Sequence, residues 1–93
     1  MKKRILEMCN RLDILERIGK DNVAVSGLSI DSRTTQKDEL YIALNGYNTD
    51  GHKFIDQAII NGAIAVICEK LPEIINNKVE YIRVKDTRNI MGL

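Results

Sequence analysis

The stretch SGLSIDSRTTQKDELYIALNGYNTDGH, from Ser26 to His52, contains two strand-like runs, each followed by a polar loop. Leu28 and Ile30 alternate with polar residues, which is the period-2 pattern of a half-buried strand. Leu40–Leu44 is a short apolar run typical of a buried central strand, and an Asn-Gly turn signal follows it. Ligands of open α/β sheets tend to bind beyond strand ends, so we predict a binding edge here. Its polar residues are Asp31, Ser32 and Arg33 after the first strand, and Tyr47, Asn48, Thr49 and Asp50 after the second.

Downstream of this stretch the sequence predicts a βαβ unit. Apolar residues recur at helical spacing between Phe54 and Ile59, with Asp50 as the expected N-cap and Gly62 placed where a helix C-cap belongs. Ile64–Cys68 is a continuous apolar run, typical of a parallel strand that is buried on both faces. Such a strand-helix-strand unit crosses over right-handed.

The N-terminal quarter of the chain carries two competing periodicities, one helical and one alternating. We expect a helix over residues 3–9, an extended segment to Ile18 and a turn over residues 19–22. Val23 then begins a strand that continues into the quoted stretch, with Gly27 as a bulge.

The residues after the βαβ unit predict a loop and a last strand. Residues 69–78 surround Pro72, and we expect a loop there with one helical turn at Glu73–Asn76. Glu80–Val84 predicts the last strand, and its mixed faces place it near an edge of the sheet. Together the elements predict an α/β fold: a small three-layer domain with a mixed, mostly parallel sheet and flanking helices.

The C-terminal end is short for the pattern that it carries. Asp86 and Thr87 are typical helix N-caps, but barely one turn remains before Leu93. A helix of that length has no stability of its own. We therefore interpret residues 1–86 as one domain of a longer protein, and residues 87–93 as the start of a linker helix.

The composition excludes several classes of function. The chain has 93 residues, 44% of them hydrophobic, which is enough for one modest core. Its 14 basic and 13 acidic residues balance, and its 4% aromatic content includes no Trp, so we expect no nucleic-acid partner. No apolar run approaches the roughly 18 residues of a membrane span, and no signal-peptide core follows the basic start. We expect a cytoplasmic protein without a membrane partner.

The sequence predicts no catalytic group and no metal site. Cys9 and Cys68 lie far apart and His52 is the one histidine, so we expect two reduced thiols, with Cys68 buried in a strand. His52 has no partner Ser or Cys at a recognisable spacing, and Asp50-Gly51-His52 is better explained as a helix entry. A G-x-x-x-x-G-K-[ST] phosphate loop is absent, so we expect no cofactor on these residues.

Four motifs follow one another along the chain. They are DSR at Asp31–Arg33, LYIAL at Leu40–Leu44, G-x-x-x-DGH-x-F at Gly46–Phe54 and A-x-x-x-GA-x-AV at Ala58–Val66. In this order and spacing they resemble the N-terminal domain of the Mur ligases over residues 25–93, above all that of the UDP-N-acetylmuramoyl-tripeptide synthetases. One departure is Lys37-Asp38-Glu39, where the family usually has Pro-Gly-Asp, so the turn chemistry there differs although the acid is kept.

The resemblance implies binding rather than chemistry for this chain. The family's N-terminal domain holds the uridine diphosphate end of UDP-N-acetylmuramoyl-dipeptide. Backbone groups and a Ser or Asn side chain can meet the acceptors and the donor of uracil. Asp31 and Arg33 are expected instead to fix their loop by hydrogen bonds and an ion pair. The positions that match the family's substrate contacts are Ile30, Ser32, Tyr47, Asn48 and Thr49.

The resemblance also implies an activity for the longer protein. It is expected to be an ATP-dependent, amide-forming ligase that adds the third amino acid, diaminopimelate or lysine, of the peptidoglycan stem peptide. ATP and magnesium would be held by a central domain, and the amino acid chosen by a C-terminal one, so residues 1–93 alone should be inactive. Two alternatives stay open: the same domain of the ligase that adds D-alanyl-D-alanine, and a stand-alone α/β interaction module without a nucleotide ligand.

Overall fold

The computed structural model describes residues 3–4, 14–19, 23–44 and 51–85. A 3₁₀ turn (Gly51–Phe54) leads directly into the helix α1 (Ile55–Ile60). Within these ranges, no helix has the length and apolar character that crossing a membrane requires. The strands are β1 (Lys3–Arg4), β2 (Ile14–Gly19), β3 (Ala24–Val25), β4 (Gly27–Ser29), β5 (Glu39–Ile42), β6 (Ala65–Cys68) and β7 (Glu80–Val84).

Five strands form the main sheet in the order β2-β7-β6-β5-β4. Strands β4 to β7 run parallel, and β2 runs antiparallel along β7. All four residues of β6 are buried, as the continuous apolar run predicts for a parallel strand covered on both faces. This mixed, mostly parallel sheet confirms the predicted α/β fold class.

The main sheet is the middle of three layers. One face packs against Ile55 and Ala58 of α1; the strand residues on that face are Tyr41, Ala43, Val66, Cys68 and Tyr81. The other face packs against Val23 and Val25; its strand residues are Leu40, Ile42, Ala65, Ile67, Ile82 and Val84. Val25 belongs to β3, which pairs antiparallel with β1. Within the described residues, the layer on that side is therefore a two-stranded ribbon and not a helix.

The end of α1 is set by Gly62, as its position in the sequence predicts. Its φ of +126° lies in the left-handed region that favours glycine. Its N–H donates to the Ile59 carbonyl at 3.1 Å. A Cβ atom at Gly62 would lie 2.6 Å from the Cα of Lys37, so the helix end also packs closely on the chain that enters β5.

A buried acidic residue ties the edge strand to the ribbon layer. The Glu80 side chain is 1% exposed at the start of β7. Its carboxylate accepts a hydrogen bond from the Val23 N–H at 2.8 Å, and from Arg17 Nε at 3.0 Å and Nη2 at 2.5 Å. Because Arg17 lies on β2, one side chain connects three separate segments of the fold. The charge is thereby paired, as a buried carboxylate requires.

The predicted helix over residues 3–9 is wrong where the structure describes it, because Lys3–Arg4 forms β1. Its backbone pairs with β3, with Lys3 opposite Val25. Isolated helices of one or two turns are marginal, so a pairing with a distant strand overrides a weak helical periodicity. Residues 5–13, which carried the rest of that helix prediction, lie outside the described residues. The extended segment that ends near Ile18 is confirmed by β2.

The strand predicted to run on from Val23 is interrupted. It divides at Ser26 into β3 on the ribbon and β4 in the main sheet. The Ser26 N–H donates to the Asp38 carbonyl at 2.8 Å, so the chain changes sheets there. Gly27 is accordingly the first residue of β4, paired with Glu39, and not a bulge.

The alternation that predicts β4 is real, but its sense is reversed. Ser29 is buried at 8% exposure, while Leu28 and Ile30 are 52% and 50% exposed. The Ser29 hydroxyl lies 2.7 Å from that of Thr35, so its burial leaves no unpaired polar group. On this edge strand the apolar side chains face outward, and a satisfied hydroxyl faces inward.

Two expectations for the C-terminal half are also wrong. Strand β7 is not at an edge, because it lies between β2 and β6, and β2 and β4 are the edges of the main sheet. The predicted helical turn at Glu73–Asn76 is absent, and that segment consists of bends and irregular chain. The N-caps predicted at Asp50 and Asp86, and the linker helix over residues 87–93, lie outside the described residues.

Candidate ligand-binding site

A cleft of about 890 Å³ opens beyond the carboxyl ends of β4 and β5, at the edge where the sequence predicts binding. One wall is the loop that follows β4, from Ile30 to Arg33. The other wall begins at Gly51 and continues into the first turn of α1 as far as Gln57. A loop and a helix entry carried by two adjacent parallel strands therefore face each other across one concave surface.

The loop after β4 is built around Asp31. Its carboxylate accepts hydrogen bonds from the Arg33 N–H at 2.9 Å, from Arg33 Nε at 3.1 Å and from Arg33 Nη2 at 2.9 Å. Its carbonyl accepts from the Thr34 N–H at 3.1 Å and from the Thr35 hydroxyl at 3.0 Å. These contacts confirm the prediction that Asp31 and Arg33 fix the loop.

The Asp31–Arg33 pair also changes the acidity of both groups. The side-chain hydrogen bond from Arg33, with the further bond from its backbone N–H, lowers the pKa of Asp31 from its ordinary value of 3.8. The same side-chain hydrogen bond raises the pKa of Arg33. The ion pair is exposed to solvent, because the Arg33 side chain is 85% exposed. It shapes the loop and contributes little to global stability.

Ser32 belongs to the wall of the cleft. The residue is buried, and its carbonyl accepts a hydrogen bond from Asn61 Nδ2 at 2.7 Å. Its hydroxyl makes no hydrogen bond to another described residue. Because the described residues contain no fully buried side-chain oxygen or nitrogen without a partner, this oxygen keeps some contact with solvent. The structure thus brings Ile30 and Ser32 together on one wall.

Tyr47, Asn48 and Thr49, the other three predicted contact residues, lie outside the described residues. The described residues on either side of them are Leu44 and Gly51. The Gly51 N–H donates to the Leu44 carbonyl at 2.7 Å. Leu44 and Gly51 also both line the cleft. The two described residues that flank residues 45–50 in sequence therefore both lie at the cleft.

Gly51 is required by the close packing at the floor of the cleft. A Cβ atom there would lie 2.8 Å from the Leu44 nitrogen and 3.0 Å from the Leu44 oxygen. The Gly51 carbonyl accepts a hydrogen bond from the Tyr41 hydroxyl at 2.8 Å. Tyr41 is buried in β5, so the helix entry is held against the strand beneath it. This explains the glycine of the DGH motif.

The lining of the cleft combines apolar surface with exposed cations. Ile30, Leu44 and Phe54 provide the apolar part. Lys53 is exposed at its wall and provides positive charge, whereas the charge of Arg33 is paired with that of Asp31. Mostly apolar clefts with a few polar groups suit small organic ligands, and Lys pairs with phosphate. The cleft therefore suits a small organic ligand that has an anionic group.

His52 holds the helix entry to the loop after β6. Its Nε2 atom accepts hydrogen bonds from the Glu69 N–H at 2.9 Å and from the Lys70 N–H at 3.2 Å. An Nε2 that accepts two backbone donors is occupied in a structural contact and is not placed to act as a base. The interpretation of His52 as part of a helix entry is confirmed, and its link to residues 69–70 was not predicted.

The structure describes one of the two cysteines and most of the side chains that could hold a metal ion. Cys68 is buried in β6 as predicted, and burial raises the pKa of its thiol to about 11. It is therefore protonated at neutral pH and not a nucleophile. Residues 14–19, 23–44 and 51–85 contain no group of three or more His, Cys, Asp or Glu side chains able to hold a metal ion. Cys9 lies outside the described residues.

Sequence reasoning missed the contributions of α1 to this site. Gln57 lines the cleft, and Asn61 holds the loop of Ser32 from a distance of 29 residues along the chain. Gln57 is a polar position on a short amphipathic helix and Asn61 the residue directly after it, where a solvent-exposed role is the default interpretation. The one available signal was that Asn61 directly precedes the glycine that ends the helix.

A family model and several curated relatives match most of this chain. The family model described as "Mur ligase family, catalytic domain" matches residues 24–93. The UDP-N-acetylmuramoyl-L-alanyl-D-glutamate--2,6-diaminopimelate ligase of Phocaeicola vulgatus is 40% identical over 81 residues, covering 87% of this chain and 17% of that protein. The UDP-N-acetylmuramyl-tripeptide synthetase 2 of Oceanobacillus iheyensis is 35% identical over 86 residues, covering 92% of this chain and 18% of that protein. The chain therefore spans less than a fifth of the length of these relatives.

Solved structures are similar to the fold. A crystal structure of MurF from Acinetobacter baumannii has a TM-score of 0.79 at 20% identity, over 99% of this chain and 20% of that one. MurF ligase from Thermotoga maritima, solved in complex with ADP, has a TM-score of 0.59 at 27% identity, over 67% of this chain and 14% of that one. At 20% identity, the Acinetobacter structure supports the shared fold alone.

Proposed function

Because this chain belongs to the Mur ligase family, we propose that it is the N-terminal, substrate-docking domain of an ATP-dependent, amide-forming ligase of peptidoglycan synthesis. It docks the uridine diphosphate end of UDP-N-acetylmuramoyl-dipeptide, to which the whole enzyme adds the third amino acid. The observation that carries this proposal is the cleft beyond β4 and β5, which Ile30 and Ser32 line.

The chemistry of the cleft supports a uridine nucleotide. The Ser32 hydroxyl can donate to a uracil carbonyl or accept from the uracil N–H. Ile30 and Leu44 offer apolar surface to the face of the ring or to the ribose, and Lys53 offers a cation to the diphosphate. A ligand placed in this way satisfies its polar edge, its apolar face and its charge on one concave surface.

Tyr47, Asn48 and Thr49 complete the proposed substrate contacts. Each is within three residues of Leu44 or Gly51, which hydrogen-bond to each other at the cleft. We expect much of the contact at these three positions to come from the backbone.

The names of the relatives support a ligase that adds the third amino acid of the stem peptide. The P. vulgatus relative is a diaminopimelate ligase and the O. iheyensis relative a tripeptide synthetase. The alternative is the same domain of a D-alanyl-D-alanine-adding ligase, which the Thermotoga MurF ligase structure supports at 27% identity. In either case, central and C-terminal domains of the same chain would hold ATP and magnesium, and the enzyme would work in the cytoplasm.

The first test is an NMR amide-shift titration of the 93-residue chain with UDP, and with ATP as the control. We expect shifts at residues 30–33 and at Leu44 and Gly51 with UDP only. The affinity should be weak, because a half-open cleft leaves much of the ligand in water. A sub-micromolar dissociation constant would contradict the expected weak affinity of this half-open cleft. The absence of shifts at millimolar UDP would contradict docking by this chain.

Ser32→Ala is the matched variant for that titration. Loss of one neutral hydrogen bond should weaken UDP binding about fivefold, the equivalent of about 1 kcal/mol. Thr34→Ala is the control, because Thr34 is an exposed hydroxyl residue of the same loop outside the cleft lining. Equal affinity of Ser32→Ala and the unaltered chain would remove Ser32 from the site.

The choice between the two ligases is tested in the full-length enzyme. Activity with UDP-N-acetylmuramoyl-dipeptide and diaminopimelate or lysine is expected, and activity with D-alanyl-D-alanine as the added group is not. The reverse result would establish the alternative.

A further inference from the structure

We propose that Asn61 is a positioning residue for the ligand, acting through the peptide group that joins Ser32 to Arg33. The inference rests on the proposed function and deepens it, because it names the residue that holds Ser32 in its place at the cleft. Asn61 lies just beyond the last turn of α1, and its Nδ2 atom donates to the Ser32 carbonyl at 2.7 Å.

The Ser32–Arg33 peptide group is held at both of its polar atoms. Asn61 binds its carbonyl oxygen, and the Asp31 carboxylate binds its N–H at 2.9 Å. A peptide group is planar, so two bonds on opposite sides fix its orientation about the chain. The position of the Ser32 Cα atom is fixed with it, which limits the region that the hydroxyl can reach.

The two anchors of this peptide group are not equivalent. The Asp31 anchor belongs to the same loop and is exposed, so it moves with the loop and exchanges easily with water. The Asn61 anchor is partly buried and comes from the residue that caps the end of α1. Among described residues outside 29–35, Asn61 makes the one side-chain hydrogen bond to residues 31–34. This bond connects the loop to the segment that forms the opposite wall of the cleft.

Asn61 is itself held in place at the end of α1. Its N–H donates to the Gln57 carbonyl at 3.0 Å, and its Oδ1 lies 3.4 Å from Gln57 Nε2. With Oδ1 toward an amide donor and Nδ2 toward a carbonyl, the orientation of the Asn61 amide is fixed by its partners. Gln57 lines the cleft, so one chain of contacts connects both walls.

The experiment measures UDP affinity by amide-shift titration of the 93-residue chain and of Asn61→Ala. We expect Asn61→Ala to bind UDP about fivefold more weakly, the effect of losing the Ser32 contact that it aims. Val79→Ala is the stability control, because Val79 is buried at the amino end of β7, away from the cleft. It should lower the melting temperature and leave the UDP dissociation constant unchanged.

A double-mutant cycle separates positioning from a general structural role. In a Ser32→Ala background, Asn61→Ala should cause no further loss of UDP affinity, because the group that it aims is gone. A full additional loss in that background, or unchanged affinity of Asn61→Ala alone, overturns the inference while the proposed function stands. Absence of UDP binding by the unaltered chain overturns the proposed function and this inference with it.

Discussion

At the residue scale, the loop after β4 shows how three neighbouring side chains divide their tasks. Asp31 and Arg33 bond to each other through their side chains, and the Asp31 carboxylate also accepts from the Arg33 backbone N–H. Asp and Ser are residues that satisfy nearby backbone groups, and of the two only Asp31 does so here with its side chain. In the DSR motif the outer two side chains therefore pair with each other, and the buried Ser32 between them lines the cleft.

A prediction at this scale concerns the acidity of Asp31. Its pKa, measured from the side-chain carboxyl shift, should lie below 3.8, and Arg33→Ala should raise it. Because the folded-state pKa is lowered, the pair contributes to stability above the unfolded-state pKa, and that contribution is lost as the pH falls through the folded-state value. Arg83→Ala removes the guanidinium of a different ion pair, with Glu16, and should leave the Asp31 titration unchanged. The same pKa in Arg33→Ala as in the unaltered chain would contradict this cause.

At the element scale, the turn before β5 keeps a backbone shape that its residues do not favour. The Gln36 carbonyl accepts from the Glu39 N–H at 3.2 Å, and Asp38 has a φ of +65°. A positive φ at the third residue of such a turn is the type II pattern, for which Pro and Gly are preferred at the second and third residues. The Glu39 carboxylate also accepts from the Gln36 N–H at 2.8 Å. The turn shape is thus compatible with the family's Pro-Gly-Asp, although Lys37 and Asp38 occupy the first two positions.

Restoring the preferred residues should therefore stabilise the chain. Lys37→Pro with Asp38→Gly removes the left-handed strain at Asp38 and restricts the unfolded chain, for an expected gain of about 0.5–1 kcal/mol. The free energy of unfolding in urea measures it. Lys78→Pro is the control, because the Lys78 N–H donates to Asn76 Oδ1 and its loss should destabilise. A destabilised double variant would exclude the type II interpretation.

At the scale of the whole molecule, the buried Glu80 carboxylate joins the main sheet, the edge strand and the ribbon layer. Glu80→Ala leaves the Val23 N–H without its acceptor and Arg17 without this carboxylate. We expect a loss of about 2–4 kcal/mol in the free energy of unfolding, below the full value of a buried pair because Arg17 reaches solvent.

The matched control for Glu80 is Glu16, which pairs with Arg83 across the same two strands at 3.2 Å. Both members of that pair are partly exposed, so Glu16→Ala should cost less than about 1 kcal/mol. Similar losses for Glu80→Ala and Glu16→Ala would show that burial does not strengthen the Glu80 contacts.

Local pattern predicted the interior of this fold correctly. The apolar runs at Leu40–Leu44 and Ile64–Cys68 predicted strands covered on both faces, and β5 and β6 are such strands. Gly62 predicted the end of α1, and the loop role of Asp31 and Arg33 followed from their residue types. Each of these features depends on side chains close together in sequence, where period and residue preference carry the information.

The tertiary structure decided the features that depend on distant partners. Lys3–Arg4 became a strand because β3 lies beside it, and Ser29 faces inward because Thr35 completes its hydrogen bonds. Glu80 is buried because Arg17 and Val23 meet it, and Asn61 reaches Ser32 across 29 residues. The sequence by itself determined the fold class and the family motifs. Which polar groups are buried, and which bond to each other, was decided only when folding brought their partners within hydrogen-bonding distance, since a polar group is stable in the interior only when it is paired.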